Sequence, residues 1–315
     1  MIRFVLSRLA EGAVTLVVSS FLVFSALFLA PGDPIAILVG NRTVSDETIA
    51  SLKAEYHLDQ PFLLRWLHWV GDVLTGRLGQ SMTYRDDVWN LIAPRLGTTG
   101  LLLALGFAAI VVFGVGLGVV AAMSGRRVSD LILAFTSVGV AVPSFVAAML
   151  LISIFAIGLG WFPTFGSGEG FADRLRHLAL PVIALALSAG SYVVRVTRSA
   201  LREEAQRDHV QTAIGRGLPR ARIVGHHVVR NALTPIATVV AVTLTSLVVG
   251  SIVVEKAFAL DGIGLLLTET VLRKDFAVVQ AISLLLIAFV VVVTLLVDVL
   301  QVIVDPRVRA RVVTR

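Results

Sequence analysis

The 315-residue chain contains no cysteine. This absence excludes disulfides, thiolate metal sites and cysteine nucleophiles, and it leaves the redox compartment open. Charged side chains are also scarce, at 15% of the chain, against about 25% in an average soluble domain. Apolar residues make up 57%, and the mean hydropathy is +0.89. This composition is that of an integral membrane protein, in which lipid is the solvent for most of the chain.

Long uncharged runs dominate what is present. Six of them approach or exceed the roughly 20 residues with which a helix crosses a bilayer. They are 12–30, 96–125, 131–161, 178–194, 231–254 and 276–297. None shows the alternating polarity of membrane β-strands. The sequence therefore predicts an all-α membrane protein with six transmembrane helices.

The polar segments divide the chain further. We expect the N-terminus and first helix at 1–30, an extracytoplasmic helical segment at 31–95, a transmembrane core at 96–304 with its last span drawn to 304, and a cytoplasmic tail at 305–315. Ser45 and Pro61 indicate helix starts within 31–95. The first uncharged run is longer than the roughly 7–15 residues of a signal peptide and lacks an A-x-A-like cleavage site, so we expect this span to be retained.

The distribution of lysine and arginine predicts the orientation. Sixteen of the 27 basic residues fall in segments that share one side if the N-terminus is cytoplasmic. Both termini are then cytoplasmic, because positive residues concentrate on that side. The pI near 10.4 follows from this topology, so it does not indicate a nucleic-acid partner. We expect the spanning helices to contact membrane lipid.

A basic island at 195–230 carries eight of these arginines. Residues 198–213 are rich in helix formers. Gly217 suits the left-handed backbone conformation that often ends an α-helix, and Pro219 can begin the next helix. We expect two short helices joined by a tight glycine turn. Such a unit is a rigid protrusion, which can transmit force.

Several residues inside or beside the spans are candidates for function. Gly114-x-Gly-x-Gly118 predicts a close helix contact. Pro143 predicts a kink near the middle of the third span, where Ser144 and Phe145 are candidates to line a translocation path.

Two carboxylates near span ends also need an account. We expect Asp298 to pair with an arginine at the membrane interface. Glu255, at the outer end of the fifth span, belongs either to an outer gate or to the interface, and the sequence leaves both open.

At the island the chain resembles a known family. Asp208-His-Val-Gln-Thr-Ala-Ile-Gly-Arg-Gly217 is similar to the cytoplasmic motif of membrane permease subunits of ABC importers, in the dipeptide and oligopeptide branch. Further segments match this family in order along the chain: Leu29-Ala-Pro-Gly-Asp-Pro34, Leu58-Asp-Gln-Pro61, Val142-Pro-Ser-Phe145, Leu180-Pro181, His227-Val-Val-Arg-Asn-Ala-Leu-Thr-Pro235, Gly262-Ile-Gly264 and Asp305-Pro-Arg307. Departures from the family pattern stand at His209, Gln211 and Asp261.

The resemblance implies a type I importer permease in the plasma (inner) membrane of a prokaryote. It implies a second, similar permease subunit, two cytoplasmic ATP-binding subunits and an extracytoplasmic solute-binding protein. The island then holds a coupling helix that contacts an ATPase subunit. The residues at that contact are Asp208, Thr212, Ala213, Gly217 and Leu218, of which Thr212, Ala213 and Gly217 are small enough for close approach.

The chemistry of ATP hydrolysis belongs to other chains in this interpretation. The sequence has no Gly-x-x-x-x-Gly-Lys-Ser/Thr phosphate loop. We therefore expect no catalytic residue, metal or cofactor on this chain, with ATP and Mg on the partner subunits. Its predicted part is that of conduit and transducer in an alternating-access cycle.

Alternatives remain for both cargo and class. Di- and oligopeptides are the expected cargo, and nickel complexes, glutathione, haem and oligosaccharides travel through similar permeases. A secondary transporter would need ionisable residues or broken helices at the membrane midplane. An intramembrane hydrolase would need a Ser/His pair or a metal cluster, yet all six histidines lie outside the uncharged runs.

Overall fold

A computed structural model describes residues 2–29, 45, 47 and 59–304. Throughout this part of the chain the regular structure is helical, and no strand is formed. The helices are α1 (Ile2–Leu29), α2 (Phe62–Leu74), α3 (Val88–Met123), α4 (Arg126–Ala141), α5 (Ser144–Gly158), α6 (Gly170–Ala205), α7 (Asp208–Gly215), α8 (Arg220–Ala257), α9 (Ile263–Leu272) and α10 (Phe276–Val304).

The number of membrane spans agrees with the sequence. Helices α1, α3, α6, α8 and α10 are each long and apolar enough to cross a bilayer, and α4 with α5 makes a sixth span that is bent by 105°. The predicted six-helix fold is therefore confirmed, with α4 and α5 counted as one span. The predicted kink at Pro143 is larger than expected: Val142 and Pro143 both leave the helical conformation, and Pro143 caps α5. The span is broken there because proline cannot supply the N–H that would continue α4.

Several helices extend well beyond the uncharged runs. Helix α3 begins at Val88, where the Asp87 carboxylate accepts a hydrogen bond from Trp89 N at 2.8 Å. Helix α6 runs through both ends of its predicted span, and α8 starts ahead of its own, at Arg220. Charge-free runs locate the segment in hydrocarbon, whereas these helices continue through the polar interface on either side.

Helices α3 and α6 approach each other closely at glycines of α3. A Cβ on Gly114 would lie 2.8 Å from the Val193 Cβ, and one on Gly118 would lie 2.5 Å from the Thr197 Cβ. Both helices also contain wide π-helical turns at this level, Ile110–Val115 and Ala186–Gly190. The predicted packing role of this glycine motif is confirmed, because any larger side chain would separate the two helices.

Helix α1 lies against α10 and α2. Arg8 Nε and Asp298 Oδ2 are 3.1 Å apart, which confirms the predicted pairing of Asp298 with an arginine. Aromatic rings join α1 to α2, including an edge-on contact of Phe21 with Trp66. Trp66 is thus packed against a spanning helix.

Some sequence predictions concern residues outside the ranges that the structure describes. The 29–34 and 305–307 motifs lie wholly or mostly outside the described residues, as does the tail at 305–315. The same holds for most of 31–58, including all but Ser45 and Glu47 of the helix predicted to start at Ser45.

Candidate functional site

The basic island forms a short helix set between two spanning helices. Helix α6 ends at Ala205, the chain turns at Gln206 and Arg207, and α7 then begins at Asp208. The sequence predicted an unbroken helix across 198–213, and this is wrong because Arg207 adopts an extended conformation. The Asp208 carboxylate lies in the first turn of α7, where it complements the positive end of the helix dipole.

The end of α7 has the geometry that the glycine predicts. Gly217 adopts a φ of +71°. Its N–H bonds to the Ile214 carbonyl at 2.9 Å, and the Leu218 N–H bonds to the Ala213 carbonyl at 3.3 Å. This pair of bonds is a Schellman motif, and Leu218 packs against the apolar cluster that contains Ala213, as is common for this motif. The protrusion therefore has a fixed shape.

One face of α7 is buried against the rest of the chain. Val210 and Ala213 are buried, and they pack with Leu201 of α6 and with Ile223 and Ile236 of α8. Ala213 was predicted to lie at a surface contact with another subunit. Its side chain instead points inward, so its small size brings α7 close to its own bundle.

The opposite face of α7 is open. Asp208, Thr212 and Gly217 are exposed there, and Leu218 is half-buried. Ile214 is 53% exposed although it lies in a strongly charged segment. Ile214 borders the buried face, since two residues correspond to about 200° of rotation from Thr212. Its exposed apolar side chain, with charged residues nearby, is of the kind that protein interfaces bury.

A polar cluster at the base of α7 joins it to both neighbouring helices. The buried carboxylate of Glu204, in α6, lies 3.0 Å from Arg207 Nε and 3.2 Å from His209 Nε2. Asn231, in α8, places Nδ2 3.4 Å from the same His209 nitrogen and donates to the His227 carbonyl at 2.8 Å. The cluster ties α6, α7 and α8 together.

Sequence reasoning missed Glu204 and treated His209 as a departure from the family pattern. The signal available in the sequence was a carboxylate five residues before an unexpected histidine. Its meaning depends on the turn at 206–207, which sequence reasoning did not foresee.

The break between α4 and α5 exposes the predicted path residues. Pro143 is exposed, Ser144 is half-buried, and Phe145 is 43% exposed. Helix α5 lies against α6 and α8 beyond the break. The three side chains are thus open to the surroundings of the chain, and their place in a path stays a prediction.

Glu255 is fully buried at the end of α8. Its carboxylate accepts hydrogen bonds from Thr99 Oγ1 at 2.7 Å, from Gly264 N at 2.7 Å and from Leu265 N at 3.2 Å. It therefore holds the start of α9 against α3. The side chain does not face open space, so a role in a gate must act through the position of α9.

A second buried carboxylate works in the same way and was not singled out from the sequence. Asp275 accepts hydrogen bonds from Ser81 Oγ and, at 3.0 Å, from Thr83 N. It fixes the loop before α3 to the segment between α9 and α10.

In the part of the chain that the structure describes, no group of three or more His, Asp or Glu side chains could hold a metal ion.

Comparison with known proteins gives a consistent result. The family model described as "Binding-protein-dependent transport system inner membrane component" matches residues 114–310, and the model for the N-terminal part of such membrane components matches 1–103. A putative peptide transport system permease protein of Brucella abortus is 37% identical over 314 residues, covering 98% of this chain and 99% of that protein. The oligopeptide transport system permease protein OppB of Salmonella typhimurium is 32% identical over 311 residues, covering 98% and 100%.

A solved structure shares the fold. The MetNI methionine ABC transporter in an inward-facing conformation contains a chain that matches with a TM-score of 0.52 at 16% identity. The match covers 68% of this chain and 96% of that one.

Proposed function

Because the chain belongs to the family of binding-protein-dependent transport system inner membrane components, as a permease of the ABC importer class, we propose that it carries di- or oligopeptides. The names of its relatives, which are peptide permeases at 32–37% identity over nearly their full length, support this cargo. The chain forms half of the pathway in this proposal, and a second, similar permease subunit forms the other half.

The observation that carries the proposed mechanism is the mounting of α7. One face of this helix is packed against two spanning helices, the opposite face carries Asp208 and Thr212 in the open, and Ile214 is exposed beside the packed face. We propose that it is the coupling helix and that its open face lies in a groove of an ATP-binding subunit. Asp208, Thr212, Ile214 and Gly217 face that subunit, while Ala213 and Leu218 support the helix from within.

The proposed cycle needs partners that hold ATP. Two ATP-binding subunits on the cytoplasmic side bind ATP and Mg, and an extracytoplasmic binding protein delivers the peptide. Closure of the ATP-binding subunits draws the coupling helices together, and α6 and α8 move with α7 because the Glu204 cluster joins all three. This chain is non-catalytic in that cycle.

The pathway and the gate follow from the same arrangement. Pro143, Ser144 and Phe145 line the path at the break between α4 and α5. Glu255 contributes to an outer gate by fixing the start of α9. Both chain termini lie in the cytoplasm of a prokaryote whose inner membrane contains the protein, as the excess of arginine at the α7 end of the bundle supports.

The test is ATP hydrolysis by the complete importer in lipid, with its binding protein and candidate peptides. Ile214→Asp places a charge in the proposed apolar contact, so we expect it to abolish peptide-stimulated hydrolysis, whereas Ile214→Leu keeps it. Assembly of the complex is checked for both variants. Hydrolysis that ignores both peptide and Ile214→Asp would contradict the proposed cargo and the proposed coupling contact together. Stimulation by another solute class would reassign the cargo alone.

A further inference from the structure

A crevice of about 220 Å³ lies between α3, α4 and α6. Its lining is almost entirely apolar and includes Phe113, Leu117, Phe135, Ile183 and Leu187. Along α6 the lining extends from Val182 to Val194, which is about 18 Å at 1.5 Å per residue. One leaflet of a bilayer contributes about half of the roughly 30 Å hydrocarbon core. The crevice thus has the polarity and length of a lipid acyl chain.

Three arginines follow directly at one end of this crevice. Val194 lines it and Arg195 is the next residue, with Arg198 and Arg202 on the same face of α6. Arg195 Nη2 donates to Ser137 Oγ, and Arg198 Nε donates to Ser129 Oγ at 2.8 Å. Both acceptors are neutral. Asp130 attracts Arg198, but it does not lie within ion-pair distance of that guanidinium.

The charge of Arg195 is incompletely satisfied. Its Nε atom is buried and has no hydrogen-bond partner among the described residues. Side chains of a helix lean toward its N-terminus, so Arg195 leans over the turn that starts at Ser191, which lines the crevice. The nearby acid Asp130 lies 3.6 Å from Arg126 Nε, on α4. With Arg127 beside it, the local balance is strongly positive.

We propose that this site binds one anionic phospholipid from the leaflet at the α7 end of the bundle. An acyl chain fills the crevice between α3, α4 and α6, and the phosphate lies against Arg195 and Arg198. A lipid fits better than a free anion because the arginines and the apolar crevice are continuous. Basic groups between spanning helices attract anionic headgroups in this way. The proposal requires membrane insertion and does not depend on the cargo.

The test is native mass spectrometry of the complete importer, purified in detergent and supplied with phosphatidylglycerol or phosphatidylcholine. We expect one tightly held phosphatidylglycerol. The double variant Arg195→Gln with Arg198→Gln lowers its affinity by about 25-fold, at about 1 kcal/mol for each arginine. Ile183→Trp fills the crevice and lowers the retention of lipid with the arginines intact. Arg222→Gln removes an exposed arginine at the same end and leaves retention unchanged.

Three results would overturn the proposal. The charge contact would be contradicted if phosphatidylglycerol and phosphatidylcholine were retained equally. It would also be contradicted if wild type and the arginine double variant retained phosphatidylglycerol equally. Displacement of phosphatidylglycerol by inorganic phosphate, with no effect of Ile183→Trp, indicates an anion site without an acyl chain. Cross-linking of a single Phe135→Cys to the second permease subunit shows that protein covers the crevice. If Ile183→Trp fails to assemble, the arginine variants still decide.

Discussion

Glu255 Oε2 accepts a 2.7 Å hydrogen bond from the backbone N–H of Gly264, which joins the end of α8 to the start of α9. The other carboxylate oxygen accepts from Thr99 Oγ1, which brings in α3. A Cβ on Gly262 would lie 2.3 Å from Glu255 Oε2, so the glycine is needed for this approach. One buried side chain therefore organises three helices.

Glu255→Gln should loosen the start of α9. The amide keeps the volume of the carboxylate and loses an acceptor oxygen and the charge, at an expected cost of about 1–3 kcal/mol. Hydrogen exchange of the Gly264 and Leu265 amides in the assembled importer should become faster. Glu169→Gln, at an exposed carboxylate with no side-chain cap bond, is the control and should leave exchange at α9 unchanged. Unaltered protection in Glu255→Gln would contradict the anchoring role.

Glu204→Gln should weaken the mounting of α7. The Glu204 side chain is 6% exposed and lies close to Arg207 and His209, whereas that of Glu203 next to it is 73% exposed. Hydrogen bonds to charged groups contribute about 1.5–3 kcal/mol each. We expect faster amide exchange throughout α7 and weaker peptide stimulation of ATP hydrolysis in Glu204→Gln. Glu203→Gln should match wild type in both measurements, and equal behaviour of the two variants would show that the cluster is dispensable.

Gly118→Ala should force α3 and α6 apart. The added Cβ meets the Thr197 Cβ at 2.5 Å, and overpacking of this kind costs about 1–3 kcal/mol. Gly116→Ala, on the same helix, is the matched control, because a Cβ at Gly116 would meet no neighbouring part of the protein within 4 Å. Thermal unfolding of the purified importer should show a lower midpoint for Gly118→Ala. A midpoint at or above wild type is expected for Gly116→Ala, and equal midpoints would refute the close-contact role.

Phe145→Cys tests the proposed path. Because the chain has no cysteine, one introduced thiol reports on its own position. Phe145 is 43% exposed and Ala147, two residues on, is 2% exposed. A water-soluble maleimide should modify Phe145→Cys and leave Ala147→Cys unmodified, and transported peptide should slow the reaction. Modification only by a membrane-soluble reagent would place Phe145 against lipid or protein.

Local chemistry explains what the sequence could predict. The six spans follow from runs of uncharged residues, and the end of α7 follows from Gly217 and Pro219 within a few residues of each other. The contact of Gly114 and Gly118 with α6 follows from their spacing. Each of these signals lies in one short stretch of chain, so it can be interpreted without knowing which other segment packs against it.

Tertiary contacts explain what the sequence could not predict. The family resemblance placed Ala213 at a subunit contact, and only the packing with Ile223 and Ile236 reveals that it points inward. The sequence left two roles open for Glu255, an outer gate and the membrane interface, because its hydrogen-bond partner Thr99 is 156 residues away. The break at Arg207 carries no glycine or proline, and nothing in the local sequence distinguishes it from the helix on either side.

The length of α6 and α8 determines how far their ends move when the helices tilt. The two helices have 36 and 38 residues, or about 54 and 57 Å at 1.5 Å per residue. Helix α7 joins the end of α6 to the start of α8. A tilt of about 5° about that end displaces the far end of a 57 Å helix by about 5 Å, close to one helical turn. In the proposed coupling, a small displacement of the eight-residue helix α7 would therefore become a much larger one at the far ends of α6 and α8.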